Sequence, residues 1–180
     1  HELIDPLIYE EAAALIDEHH GVGHDVVIVS SSGLEVVEPI GELLGANHVI
    51  ATRMAVENGR FTGEIEYYAY GPAKAAAIAE VAAACGYDLE KSFAYSDSST
   101  DLPMIEAVGH PSVVNPDRAL RKEAIARAWP ILDFSNPVPL RTRMGLGGAR
   151  TPAFAAAGLG AGMAAAGLLW YARRRSRAEA

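Results

Sequence analysis

Two carboxylates, Asp97 and Asp101, stand four residues apart in the run Tyr95-Ser96-Asp97-Ser98-Ser99-Thr100-Asp101-Leu102-Pro103-Met104, with three hydroxyl side chains between them. The apolar residues just before predict a short buried strand over 92–95, and a helix is predicted over 102–108. The two acids therefore fall on a strand-to-helix loop, the position where open α/β sheets hold their ligands. A hard cation such as Mg²⁺ takes one or two carboxylates and completes its shell with water and phosphate oxygens. This loop can supply the protein's share. On spacing alone Asp97 and Asp101 read first as turn and N-cap residues.

Two further polar features fall at comparable points of the pattern. Ser30 and Ser31 end the β-branched run Asp25-Val26-Val27-Ile28-Val29, and Lys74 opens a helix just after Gly71-Pro72. Singly these are a loop serine and a solvated lysine. Together with the acidic loop they are a set that phosphoryl transfer needs. A hydroxyl and backbone N–H groups hold a phosphate at a helix start. A lysine and a carboxylate-bound Mg²⁺ offset the charge on the transferring group.

The elements that must position these residues follow from periodicity. Residues 9–20 read as an acidic amphipathic helix and 25–29 as a strand buried on both faces, the mark of a parallel sheet. A helix over 34–44 ends at Gly45, and 49–56 with 60–65 flank Asn58-Gly59, a strong hairpin signal. Helices over 73–85 and 117–128 and strands over 112–115 and 130–134 complete the alternation. Strands alternating with helices predict a doubly wound parallel α/β sheet with helices on both faces and a β-hairpin. His19, His20 and His24 cluster at a helix end and are expected to be solvated; Cys85, in an Ala-rich helix, is expected to be buried.

The 180 residues carry a net charge of −8, unevenly spread. Residues 141–180 hold seven Arg and one Glu, leaving −14 on residues 1–140. So acidic a globule argues against a nucleic-acid partner. Residues 136–152 read as a Pro- and Gly-rich linker. Residues 153–172 lack any charge and lead into Arg173-Arg174-Arg175. That length predicts a C-terminal apolar helix over 153–180, transmembrane or membrane-associated, with Gly158 and Gly162 open to helix-mediated self-association. One cysteine and no visible signal peptide predict a cytoplasmic location, tethered by that segment.

Residues 26–33, Gly71-Pro72-Ala73-Lys74 and Tyr95 to Met104 resemble motifs two, three and four of the haloacid dehalogenase (HAD) superfamily, closest to subfamily IB with its phosphoserine phosphatases. The resemblance covers roughly residues 5–135, with a core over 1–135. It implies a Mg²⁺-dependent hydrolase of small phosphorylated substrates working through an aspartyl-phosphate. By the same resemblance Ser30 and Ser31 bind the phosphoryl group, Lys74 steadies its charge, Asp97 ligates Mg²⁺, and Asp101 orients Lys74 or a metal-bound water.

The family's first motif, DxDx[TV], supplies the nucleophile and the acid–base, and no stretch of this chain matches it. Most of the helical cap is missing as well. The expectation is an N-terminally truncated phosphatase that is inactive as it stands. The competing expectation is a non-catalytic, membrane-tethered module that keeps the fold and binds partners.

Overall fold

The computed structural model describes residues 7–140 and 166–172. Strand β1 (Leu7–Tyr9) leads into helix α1 (Glu10–Gly21), followed by β2 (His24–Gly33) and α2 (Leu34–Leu43). The hairpin β3 (His48–Glu57) and β4 (Arg60–Tyr67) turns at Asn58 and Gly59, with φ of 52° and 74°. Positive φ at both central residues is what a two-residue hairpin demands. Helix α3 (Pro72–Cys85), β5 (Phe93–Ser96), α4 (Leu102–Ile105), β6 (His110–Val114) and α5 (Arg118–Ala126) follow. Short strands β7 (Ile131–Leu132) and β8 (Pro137–Pro139) come next, and β9 (Ala166–Ala172) is the last described element.

Seven strands form the main sheet in the order β4-β3-β2-β9-β5-β6-β7, while β1 pairs with β8 in a separate ribbon. The period-two alternation of β2 sends its buried side chains to opposite faces. Val27 and Val29 pack with Ile78 of α3, Met104 of α4 and Leu120 of α5. Val26 joins Ile16 of α1, and Ile28 joins Val37 of α2. Helices thus cover both faces, as expected of a doubly wound sheet. Gly109, where the chain enters β6, allows a close approach: a Cβ there would lie 1.8 Å from the Glu90 carbonyl oxygen.

Two expectations are corrected. The sheet is mixed beyond the expected hairpin: β2–β3, β5–β6 and β6–β7 are parallel and β4 returns antiparallel to β3 as the Asn58-Gly59 turn predicts, but β9 runs antiparallel to both β2 and β5. The apolar helix over 153–180 is also overturned. Its described part, Ala166–Ala172, is the strand β9, and no helix among the described residues is long and apolar enough to cross a membrane. Leu168-Leu169-Trp170-Tyr171 has strong strand propensity, and pairing on both sides satisfies its backbone groups. Membrane association and self-association through a C-terminal helix lose their basis. Gly158 and Gly162 lie outside the described residues.

Two smaller expectations also change. Cys85 is exposed at the C-terminal end of α3, where its Sγ lies 3.5 Å from His48 Nε2 of β3. His19 is buried, not solvated: it lies 2.7 Å from His24 Nδ1 and 3.1 Å from the Tyr95 hydroxyl, with its ring edge on Phe93. A neutral imidazole has one donor and one acceptor nitrogen, which these two contacts use.

Burial first, then the charges of His24 and His20, push the His19 pKa from 6.5 down to about 4. Its folded pKa lies below its unfolded one, so His19 favours folding fully above pH 6.5, and that contribution is lost as pH falls toward 4. The unfolding free energy should therefore drop across that window by on the order of 2 kcal/mol, and His19→Gln should flatten the drop. Gly109→Ala should lower stability at all pH values by about 2 to 3 kcal/mol, because the obstacle is backbone that must shift; chemical denaturation reads both effects.

Candidate active site

Gly71 precedes α3 at φ 53° and ψ −125°, a left-handed φ that any side chain would strain. Pro72 then takes the first helical position, where its missing N–H costs nothing. This entry turns Lys74 inward until only 2% of it is exposed. Lysine is seldom buried so fully without a partner. Its Nζ donates to Asp101 Oδ1 at 2.7 Å. Asp101 is itself fully buried, and its Oδ2 accepts a hydrogen bond from Ser96 Oγ at 2.8 Å. Ser96 Oγ in turn accepts from the Ser98 N–H at 3.3 Å. The ion pair thus joins the start of α3 to the loop after β5.

That loop is shaped locally. Ser98 caps a 3₁₀ turn, Ser99–Asp101, by accepting from the Thr100 N–H. Asp117 braces it from the next strand-to-helix connection. Its Oδ2 accepts from the Ser99 N–H at 2.7 Å, its Oδ1 caps α5 through the Leu120 N–H, and its own N–H donates to the Asp97 carbonyl at 2.8 Å. Asp97 is left with a buried Oδ1 that has no hydrogen-bond partner among the described residues. Burial pushes its carboxyl pKa up, and the Asp101 charge adds to this while Lys74 opposes it. A buried acceptor without a donor calls for a partner.

An oxygen-liganded cation fits that atom. No group of three or more His, Cys, Asp or Glu side chains gathers for a metal among the described residues. A closed zinc site needs such a group, whereas Mg²⁺ is held by one or two carboxylates with water and substrate oxygens.

Ser30 lies at the carboxyl end of β2, 3% exposed, and its Oγ accepts from the Ser32 N–H at 3.1 Å. The Ser31 carbonyl accepts from Thr52 Oγ1 at 2.8 Å, and the same Thr52 oxygen accepts from the Ala69 N–H at 3.3 Å. Thr52 thus latches the carboxyl end of β2 to the segment leading into α3. No hydrogen bond among the described residues joins Ser30 or Ser31 to Lys74, Asp97 or Asp101. Register places them level all the same. Ile28 and Tyr95 both face Leu168 across β9, so Ser30 and Asp97, each two residues further on, reach the same edge of the sheet. Two strand spacings separate them, about 10 Å.

Lys74 and Asp101 are therefore in direct contact, Asp97 stands beside them, and the two serines line the far side. Ser96, Thr52 and Asp117 are not among the site residues expected from the sequence. For Asp117 the signal was present, in Asn115-Pro116-Asp117 after a strand; for Ser96 and Thr52 there was none beyond their place in or next to strands.

A family model described as haloacid dehalogenase-like hydrolase matches residues 1–106. The chain belongs to that family. A Streptomyces azureus protein named "Inhibition of morphological differentiation protein" is 65% identical over 178 residues, covering 97% of this chain and 64% of the relative. A Mycobacterium tuberculosis protein named as a probable phosphatase is 56% identical over 175 residues, covering 97% and 61%. The chain thus spans under two thirds of the length of these relatives. Among solved structures, a substrate-bound phosphoserine phosphatase aligns with a TM-score of 0.60 at 25% identity, over 76% of this chain and 62% of that one.

In this member of the HAD-like hydrolases the Lys74–Asp101 pair is structural as well as polar. Removing one partner of a buried pair strands the other charge without water. Lys74→Ala should therefore cost about 3 to 5 kcal/mol of stability, and a Lys74→Met, Asp101→Leu double variant should recover most of it; urea denaturation of the three proteins measures the difference.

Proposed function

We propose that the full-length protein is a Mg²⁺-dependent phosphomonoester hydrolase of the HAD IB type, acting on a small phosphorylated substrate. The observation that carries this reading is the buried, partnerless Oδ1 of Asp97 beside the Lys74–Asp101–Ser96 network, level with Ser30 at the carboxyl edge of the sheet.

Each residue then has a task set by its surroundings. Asp97 would hold Mg²⁺, which when bound supplies positive charge to the phosphoryl oxygens. Ser30 Oγ and the Ser31 N–H would bind those oxygens from the β2 side. Lys74 would face the transferring group from the other side, its position kept by Asp101. Asp101 is in turn held by Ser96 Oγ, so that the lysine does not need to reorganise as charge develops.

A covalent route through an aspartyl-phosphate is supported by likeness to a phosphoserine phosphatase solved as a phospho-aspartyl intermediate analogue, at 25% identity and a TM-score of 0.59. In such a route a carboxylate attacks phosphorus, the alcohol leaves with a proton, and water then releases phosphate and restores the carboxylate. These 180 residues hold no DxDx[TV] sequence, so the attacking Asp would come from outside them. By themselves the 180 residues are expected to show no turnover.

In the full-length protein, Asp97→Asn should cut phosphomonoester turnover by roughly a hundredfold or more and shift the Mg²⁺ concentration for half-activity upward. Steady-state rates over a Mg²⁺ titration check both. Near-normal turnover with ordinary Mg²⁺ dependence in that variant would remove Asp97 from the site.

A further inference from the structure

Just before Gly71, two tyrosines stand on the rim of this site with no task in the chemistry above. Tyr68 and Tyr70 are 52% and 45% exposed, while Ala69 between them is fully buried. Their rings are nearly parallel, 4° between planes, with centroids 5.3 Å apart. Parallel rings at that spacing form an offset stack, which leaves each ring a free outer face.

The segment that carries them is held at several points. The Tyr70 N–H donates to the Tyr68 carbonyl at 2.9 Å, the Ala73 N–H donates to the Tyr70 carbonyl at 3.2 Å, and the Ala69 N–H donates to Thr52 Oγ1. Tyr67 contributes as well: its hydroxyl donates to the Ala73 carbonyl at 3.0 Å, and Arg53 lies over its ring. Through Thr52 the segment is tied to the Ser31 carbonyl, and a Cβ at Gly71 would lie 3.9 Å from the Thr100 carbonyl oxygen. The segment that carries the tyrosine pair is therefore fixed between the carboxyl end of β2 and the loop after β5, the two places that define the site.

We propose that Tyr68 and Tyr70 form a stacking platform that selects phosphomonoesters with a planar aromatic or heteroaromatic leaving group. The proposal rests on the phosphatase reading for the position of the phosphate. With the phosphate held between Ser30 and Asp97, the leaving group projects outward to the rim. A flat π-system there meets a ring face already ordered by its neighbour, so little side-chain entropy is lost on contact. Serine-like leaving groups offer no face to stack.

The test separates binding from turnover. Benzylphosphonate and cyclohexylmethylphosphonate match in size and charge, resist hydrolysis, and differ in aromaticity. Calorimetric titration of the full-length protein with Mg²⁺ present should show benzylphosphonate bound about fivefold more tightly. Tyr70→Leu and Tyr68→Leu should each narrow that ratio to below twofold, and Tyr70→Phe should keep it. Circular dichroism melts confirm that the variants fold.

Equal affinities in the unaltered protein, binding of neither phosphonate, or a ratio unmoved by the leucine variants would overturn the platform. So would preferential binding of 3-trimethylammoniopropylphosphonate lost in the same variants, since that outcome makes the rings a cation site. Turnover of benzyl phosphate is read separately. A retained aromatic preference without turnover sinks the phosphatase reading and keeps the platform, and turnover without the preference does the reverse.

Discussion

The buried ion pair between Lys74 and Asp101 is the constraint on which the rest of the site depends. Both side chains are withdrawn from water, at a desolvation cost of several kcal/mol for each charge, and only close geometry with further hydrogen bonds offsets it. The 2.7 Å contact and the Ser96 hydroxyl on the second carboxylate oxygen supply that geometry. Their requirements propagate outward. Lys74 reaches Asp101 only because Gly71 adopts a left-handed φ and Pro72 starts α3 at once. Asp101 meets it only because the 3₁₀ turn, braced by Asp117, folds the loop back beneath the end of β5.

The same pair sets the electrostatics around Asp97. Its carboxylate is half enclosed, repelled by Asp101 and attracted by Lys74, and one of its oxygens finds no donor among the described residues. A site that is otherwise well satisfied in hydrogen bonds thus leaves one acceptor open at the edge of the sheet. That is the pattern expected where a ligand, and not the protein, completes the shell. Elsewhere polar groups are closed off: buried His19 between His24 and Tyr95, and half-buried Tyr87 donating to Asp25.

The position of β9 explains how the two halves of the site come level. It pairs with β2 on one side and β5 on the other, and its shared register with Ile28 and Tyr95 brings Ser30 and Asp97 to one edge. Because its direction opposes both neighbours, the sheet is mixed where alternating strands and helices had suggested a parallel one. The membrane expectation failed at the same segment. Hydropathy records how apolar a stretch is, but cannot tell a helix in lipid from a strand paired within a sheet.

Local rules were legible in the residues themselves. Asn58-Gly59 between strand-forming flanks dictated the hairpin, Pro72 marked the start of α3, and the β-branched run before Ser30 marked a strand buried on both faces, because each depends on contacts or dihedrals within a few residues. Ser30, Lys74, Asp97 and Asp101 could be picked out by type and by their place after strands and at a helix start. What they touch could not. The burial of Lys74 and His19, the bracing by Thr52 and Asp117 and the antiparallel entry of β9 all depend on segments far apart in the chain. Spacing along a sequence carries φ, ψ and amphipathic period; it does not carry the distance between two loops that meet only when the sheet has formed.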